Sequence, residues 1–327
     1  MPCHPARARK LLKNQKAKKQ WKGGFFYIKL LEREDGYTQR VACGIDPGSK
    51  KEAFTIRSEK KTFLNIQTDA ITHVKDRVEE RRIMRQTRRS RNCPYRECRL
   101  NRLHNRCFAA PSTKARYDWK LTIVNMLMKL YPIDVIVYED IKARSCKGKK
   151  KWNSSFSPLQ TGKKYFLNKL EQLTEVIVKQ GYETAEKRKE LGLTKSKKKL
   201  SNSFFAHCVD SWVLAGFGLQ DAREILDNTM MIFVRKIPFW KRKLHRQKFN
   251  KSGKRHRFGG TVSFKMNRGS IVKYKKLGLR RIGGFNTGSK KVRLQEFSTF
   301  KRGPDKQGII KDLIFLANCN WAWNYSI

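Results

Sequence analysis

Residues 41–57 read VACGIDPGSKKEAFTIR. An apolar run ends in an aspartate, a Pro-Gly pair turns the chain, and a second β-rich run leads away. That pattern predicts a strand, a tight turn and a second strand, with Asp46 at the end of the first. A second apolar run also ends in acids: IDVIVYED, 133–140, is short and β-branched and reads as a buried strand. A third acid sits within FFAHCVDSWVLAGFG, 204–218, which is apolar nearly all round and reads as a buried helix. Asp210 lies inside it, and His207, three residues earlier, shares its face. KTFLNIQT, 61–68, is a candidate third strand, and WKLTIVNMLMKLY, 119–131, an amphipathic helix.

Carboxylates at the ends of apolar elements are costly to desolvate unless paired. Arginine could pair with any one of them, but three point to shared cations. Hydrolysis of a phosphodiester by two metal ions uses carboxylates converging on Mg²⁺ ions ~3.5–4 Å apart. Carboxylate oxygen is the hard donor that Mg²⁺ prefers. Taken singly, Asp46 also fits an ordinary turn aspartate, Glu139 competes with the equally acidic Asp140, and His207 fits a satisfied core histidine. His207 could otherwise ligate, orient water or shuttle a proton. The order strand-Asp, arginine-rich helix, strand-Glu, helix-His-x-x-Asp is more specific than any part.

The remainder of the 327 residues is dominated by charge: 75 Lys and Arg against 27 Asp and Glu give +48. Such self-repulsion calls for a polyanion, and nucleic acid is the expected one. The generic alternative is a ribosomal or chromatin-type basic protein. Eleven arginines crowd into residues 70–107. The part before Pro94 predicts a long helix too polar to bury a stripe, suited to a phosphate backbone or to a solvated face. Residues 163–180 read as helical, 195–199 (KSKKK) as a charged loop, and the stretch after Pro238 as short strands between glycine turns. The opening MPCHPARARKLLKNQKAKK lacks the apolar segment of a secretory signal, and no run of ~18 apolar residues predicts a membrane span. Cys93, Cys98 and Cys107 lack paired C-x-x-C spacing, so free thiols are favoured over a zinc site.

The order of these motifs resembles the split RuvC nuclease of the IscB/IsrB proteins, transposon-encoded relatives of RNA-guided effector nucleases. MPCHPARARKLLKNQKA resembles their N-terminal PLMP module without its leading Pro-Leu, and GIDPGSK, IVYEDIKA and HCVDSWVLA resemble the three RuvC motifs. RRIMRQTRRSR resembles the bridge helix, and KRKLHRQKFNKSGKRHRFGGT with LRRIGGF resembles the C-terminal domain that contacts the target-adjacent motif. The resemblance implies an RNase H-like (RuvC) α/β fold with a mixed sheet and flanking helices, a long Arg-rich bridge helix and a small basic β-rich C-terminal domain.

Segments follow: 1–38 the PLMP-like module, 39–69 RuvC part I, 70–107 the bridge helix, 108–141 part II, 142–202 a linker and helical segment, 203–236 part III, and 237–327 the target-adjacent-motif-interacting domain. Asp46, Glu139, His207 and Asp210 fall on the catalytic positions, with Asp46, Glu139 and Asp210 as ligands of two Mg²⁺ ions, Mn²⁺ able to substitute. Arg81, Arg82, Arg85, Arg88, Arg89 and Arg91 fall where the family grips its guide RNA. The implied partners are a large structured guide RNA (omega RNA) and double-stranded target DNA with a flanking motif. A monomer bound one-to-one to RNA, without a membrane and in a prokaryotic, nucleoid-associated cytoplasm, is expected.

One departure sets the subtype. IscB proteins insert an HNH nuclease between the second and third motifs, and such a domain needs two histidines. Here only 67 residues run from Asp140 to Ala206, and no histidine lies between His104 and His207. That matches IsrB, with WNSSFSPLQTGKKYF (152–166) resembling its short substitute, and implies nicking of the displaced strand. A guide-independent RuvC-like resolvase and an inactive RNA-binding accessory protein are the competing readings.

Overall fold

The computed structural model describes residues 3–22, 25–34, 36, 39–90, 110–141, 157–198, 201–220, 222, 224–236, 262–263, 266–286, 288–297, 307–319 and 321–325. Arg91, Cys93, Cys98, Cys107, all of 142–156 and the basic stretch 241–261 lie outside them. The chain forms two compact units. One spans Thr38–Ile232; the other joins Pro2–Tyr37 to Phe233–Tyr325.

The chain opens with α1 (Pro5–Lys13), which His4 caps by accepting from the Ala6 amide. A hairpin follows, β1 (Ala17–Lys22) and β2 (Phe25–Leu30), paired along its whole length. AKKQWK, with little apolar content, gains its strand from the β2 ladder.

The first unit carries the sheet that positions the acids. β3 (Val41–Asp46), β4 (Lys51–Ser58) and β5 (Thr62–Asp69) form an antiparallel meander. The helices α2 (His73–Arg89) and α3 (Pro111–Leu130) follow. Next come β6 (Val135–Asp140), α4 (Pro158–Glu171), β7 (Glu175–Gln180), α5 (Gly181–Glu190) and α6 (Phe204–Phe217). β6 pairs parallel with β3, and β7 parallel with β6. The strand order is therefore β5-β4-β3-β6-β7. An antiparallel three-strand meander extended by two parallel strands is an RNase H-like sheet.

Residues 163–180 depart from the helical expectation. Phe166, Leu170, Leu173 and Ile177 fit a helical period, yet the helix stops at Glu171 and EVIVKQ is a strand. Its β-branched residues fit a pleated surface beside β6 better than a helix.

Strand alternation assigns every side chain to a face. Ala42, Val135 and Val137 meet Leu214 and Ala215 of α6, and Ala53 meets Cys208, Val209 and Trp212. Asp46 and Glu139 share that parity. The opposite face takes Tyr138, whose ring lies 5.6 Å from Phe166 of α4, with Tyr117 of α3 5.7 Å from Phe166. Gly44 lets α6 approach: a Cβ there would stand 1.9 Å from the Ser211 carbonyl oxygen and 2.5 Å from the Ala215 nitrogen.

The chain leaves this unit within β8 (Met231–Lys236). The second unit continues through β9 (Val262–Ser263), β10 (Met266–Asn267), β11 (Ile271–Tyr274), β12 (Gly278–Asn286), β13 (Lys291–Glu296), β14 (Gln307–Ile309), β15 (Leu313–Ala317) and β16 (Trp321–Tyr325). Five of these form an antiparallel sheet in the order β14-β13-β12-β11-β15. Met266, Val272, Tyr274, Ile282, Val292 and Leu294 fill its core. Arg281, next to Ile282 on β12, is fully buried against Phe297 and Trp323, its guanidinium donating to the carbonyls of Phe297 and Gly269. No helix among the described residues is long and apolar enough to cross a membrane.

Candidate active site

Asp46 ends β3, and Glu139 sits one position from the end of the neighbouring parallel strand. The pairing Ile45↔Tyr138 puts the two acids in register on the α6 face. Polar pegs then fix α6 over them. The hydroxyls of Thr55 and Ser211 are 2.8 Å apart, and the Trp212 indole donates to Thr62 Oγ1 at 2.8 Å. Asp210 is thereby turned toward Asp46, with its side chain 5% exposed.

The three carboxylates influence one another directly. The Asp46 and Glu139 side chains share a hydrogen bond. Burial, then the neighbouring Asp46, pushes the Glu139 carboxyl up to about 8, so the protonated Glu139 donates and Asp46 accepts. Burial also raises the Asp46 carboxyl, opposed by Lys195 and reinforced by Asp210. Two cations that the sequence did not single out complete the group. Arg188 of α5 donates to Asp210 Oδ1 at 2.5 Å, and Lys195 donates to Asp210 Oδ2 while lying 4.0 Å from Asp46 Oδ2.

The structure separates Glu139 from Asp140. Asp140 has the opposite parity and binds Lys163 Nζ at 2.5 Å and Gln180 Nε2 at 3.1 Å. On that same far face, Glu52 is 1% and Lys120 3% exposed, paired at 3.2 Å. His207 lies on α6 one turn before Asp210, and its Nε2 is 3.1 Å from the Ser201 carbonyl oxygen. On α2, Arg81, Arg82, Arg85 and Arg89 are exposed, and Arg82 pairs with Glu79 at 2.9 Å. The Arg88 side chain lies outside the described residues.

The donor set fits a hard divalent cation. Three carboxylates converge, and two of them hold together by retaining a proton, which a cation's charge would displace. Lys195, reaching two of the acids, shows that the cluster attracts positive charge. Among the described residues, no group of three or more His, Cys, Asp or Glu side chains, these acids included, is placed to hold a metal ion as it stands, so loading would require Lys195 and Arg188 to yield the Asp210 oxygens they occupy.

Sheet order and converging acids together define the class, an RNase H-like α/β fold. Residues 1–150, somewhat less than half the chain, match the profile of the RRXRR protein family. Solved structures with a similar chain course include T. thermophilus RuvC in complex with a Holliday junction substrate, at 12% identity over 54% of this chain and 90% of that one, TM-score 0.31. The Thermus thermophilus RuvC structure follows at 11%, 54% and 90%, TM-score 0.27. The yeast mitochondrial Holliday junction resolvase Ydc2 stands at 11%, 56% and 78%, TM-score 0.29. No curated protein matches the chain.

Proposed function

We propose that this protein is an RNA-guided DNA endonuclease of the IsrB type, with Asp46, Glu139 and Asp210 holding divalent metal for a single nuclease centre. The observation that carries this reading is the convergence of those acids, from two neighbouring strands and one helix, on one face of the sheet. Bound Mg²⁺ or Mn²⁺ would activate the attacking water and stabilise the leaving oxygen. The chain's own residues supply the frame. Arg188 and Lys195 orient Asp210 by one oxygen each, and Asp46 and Glu139 give up their shared proton on loading. His207, one turn from Asp210, is the candidate to move a proton.

The arginines of α2 and the segment after it would lie along guide RNA, whose base pairing supplies sequence specificity while the protein reads backbone shape and a short flanking motif. The histidine-free stretch between the second and third motifs supports one cutting centre, hence a nick in the non-target strand. Two measurements test the reading. Asp46→Ala and Glu139→Ala should abolish Mg²⁺-dependent nicking of a supercoiled target plasmid while co-purifying RNA is retained; nicking at the wild-type rate overturns the metal assignment. Sequencing that RNA should give one structured species with a variable guide portion; mixed cellular RNA, or none, overturns the guided reading.

A further inference from the structure

We infer that the β1–β2 hairpin is a stacking platform for an unpaired nucleobase. Trp21 pairs directly with Phe26 across the ladder, and their rings meet edge to face with centroids 5.5 Å apart. Phe26 is 48% exposed, an unusual place for a ring at the turn end of a two-stranded ribbon. Lys19 lies on the same face, two residues along. On the reverse face Lys18 stands directly opposite Lys29, both exposed. Like charges directly opposite each other destabilise a ladder, and an anion close by relieves that repulsion.

Charge selects the occupant. No acidic residue precedes Glu32, while nine lysines and arginines do, so this segment presents a field for a polyanion rather than for a basic or neutral partner. A polyanion that also offers flat π-faces is nucleic acid with unpaired bases. Duplex bases are already stacked and hidden, which leaves single-stranded stretches as the match for Phe26. The inference is independent of the metal site.

The test uses the full chain freed of co-purified nucleic acid at high salt, with fluorescein-labelled single-stranded dT and rU oligonucleotides and a blunt DNA duplex of equal length. Binding is followed by anisotropy across a salt series. Phe26→Leu should weaken single-strand binding roughly tenfold without changing the salt slope, and Phe26→Trp should restore it. Duplex binding should stay unchanged in both. Tighter binding of rU would identify an RNA strand as the natural occupant, and of dT a displaced DNA strand. Phe26→Leu binding at wild-type affinity, or losing duplex and single strand equally, overturns the inference.

Discussion

Two buried charge clusters lie on opposite faces of the same end of the sheet, and they are built differently. On the α3 face, Glu52 and Lys120 are each nearly inaccessible and matched one acid to one base. Lys120 Nζ also rests 4.3 Å from the Tyr117 ring centroid, so its charge is answered from two sides. On the α6 face, Asp46, Glu139 and Asp210 face Arg188 and Lys195, and Lys195 is 36% exposed. The first cluster is balanced and closed. The second has three carboxyl groups for two bases, stays in balance only while Glu139 keeps its proton, and opens to solvent. A balanced pair serves the fold; an accessible cluster balanced by a proton is suited to cations that come and go.

The contrast predicts effects of different size and kind. The largest belongs to the α6 face: Asp210→Ala should cut metal-dependent nicking by roughly 1,000-fold, equivalent to about 4 kcal/mol of barrier. Circular dichroism should show the fold retained, and cleavage within tenfold of wild type would break the contrast. Next comes the α3 face. Lys120→Met strands Glu52 in the interior and should cost about 3–5 kcal/mol of stability in denaturant titration. Combining it with Glu52→Gln should recover most of that, with nicking per folded molecule preserved. A Lys120→Met protein as stable as wild type would show the pair is not closed.

A smaller effect separates the clusters by pH. The Glu139 carboxyl is raised by burial and by Asp46 from 4.5 to about 8. Its contribution to stability is complete below about 4.5 and is lost as the pH rises through about 8. In chelator, wild type should therefore lose thermal stability between pH 5 and 9 relative to Glu139→Gln. Mn²⁺ should reverse that trend, because it binds the deprotonated acids. A wild-type advantage that grows with pH in chelator would contradict this. The smallest effect is expected from Lys195→Gln. Its partial exposure screens the charge, so stability in chelator should fall by less than ~1 kcal/mol, with Arg188 still holding Asp210.

The sequence announced the acids because each interrupts an apolar run where a carboxylate has no ordinary reason to be. Alternation put Glu139 and Asp140 on opposite faces but could not say which face α6 covers; that depends on Gly44, which admits the helix over β3. Lys195 opens KSKKK and resembles any solvated lysine, and Arg188 sits among Lys187 and Lys189. Neither carries a local signal, since their role arises from how α5 and the following loop return over the sheet. Glu52 carries no signal of its own in the sequence, and only its place in β4 turns it toward Lys120. Helical spacing concealed β7, and the joining of the two ends of the chain into one unit has no local signature at all.

The proposed function stands or falls with divalent-cation binding by the α6-face carboxylates. The most direct measurement is the binding of Mn²⁺ to the full chain, read by the loss of its free-ion paramagnetic resonance signal, in wild type, Asp46→Asn and Glu139→Gln, with Glu52→Gln as the far-face control. Saturable binding is expected in wild type and in Glu52→Gln, and loss of that binding in Asp46→Asn and Glu139→Gln. Equal Mn²⁺ binding by wild type and the two α6-face variants would contradict it.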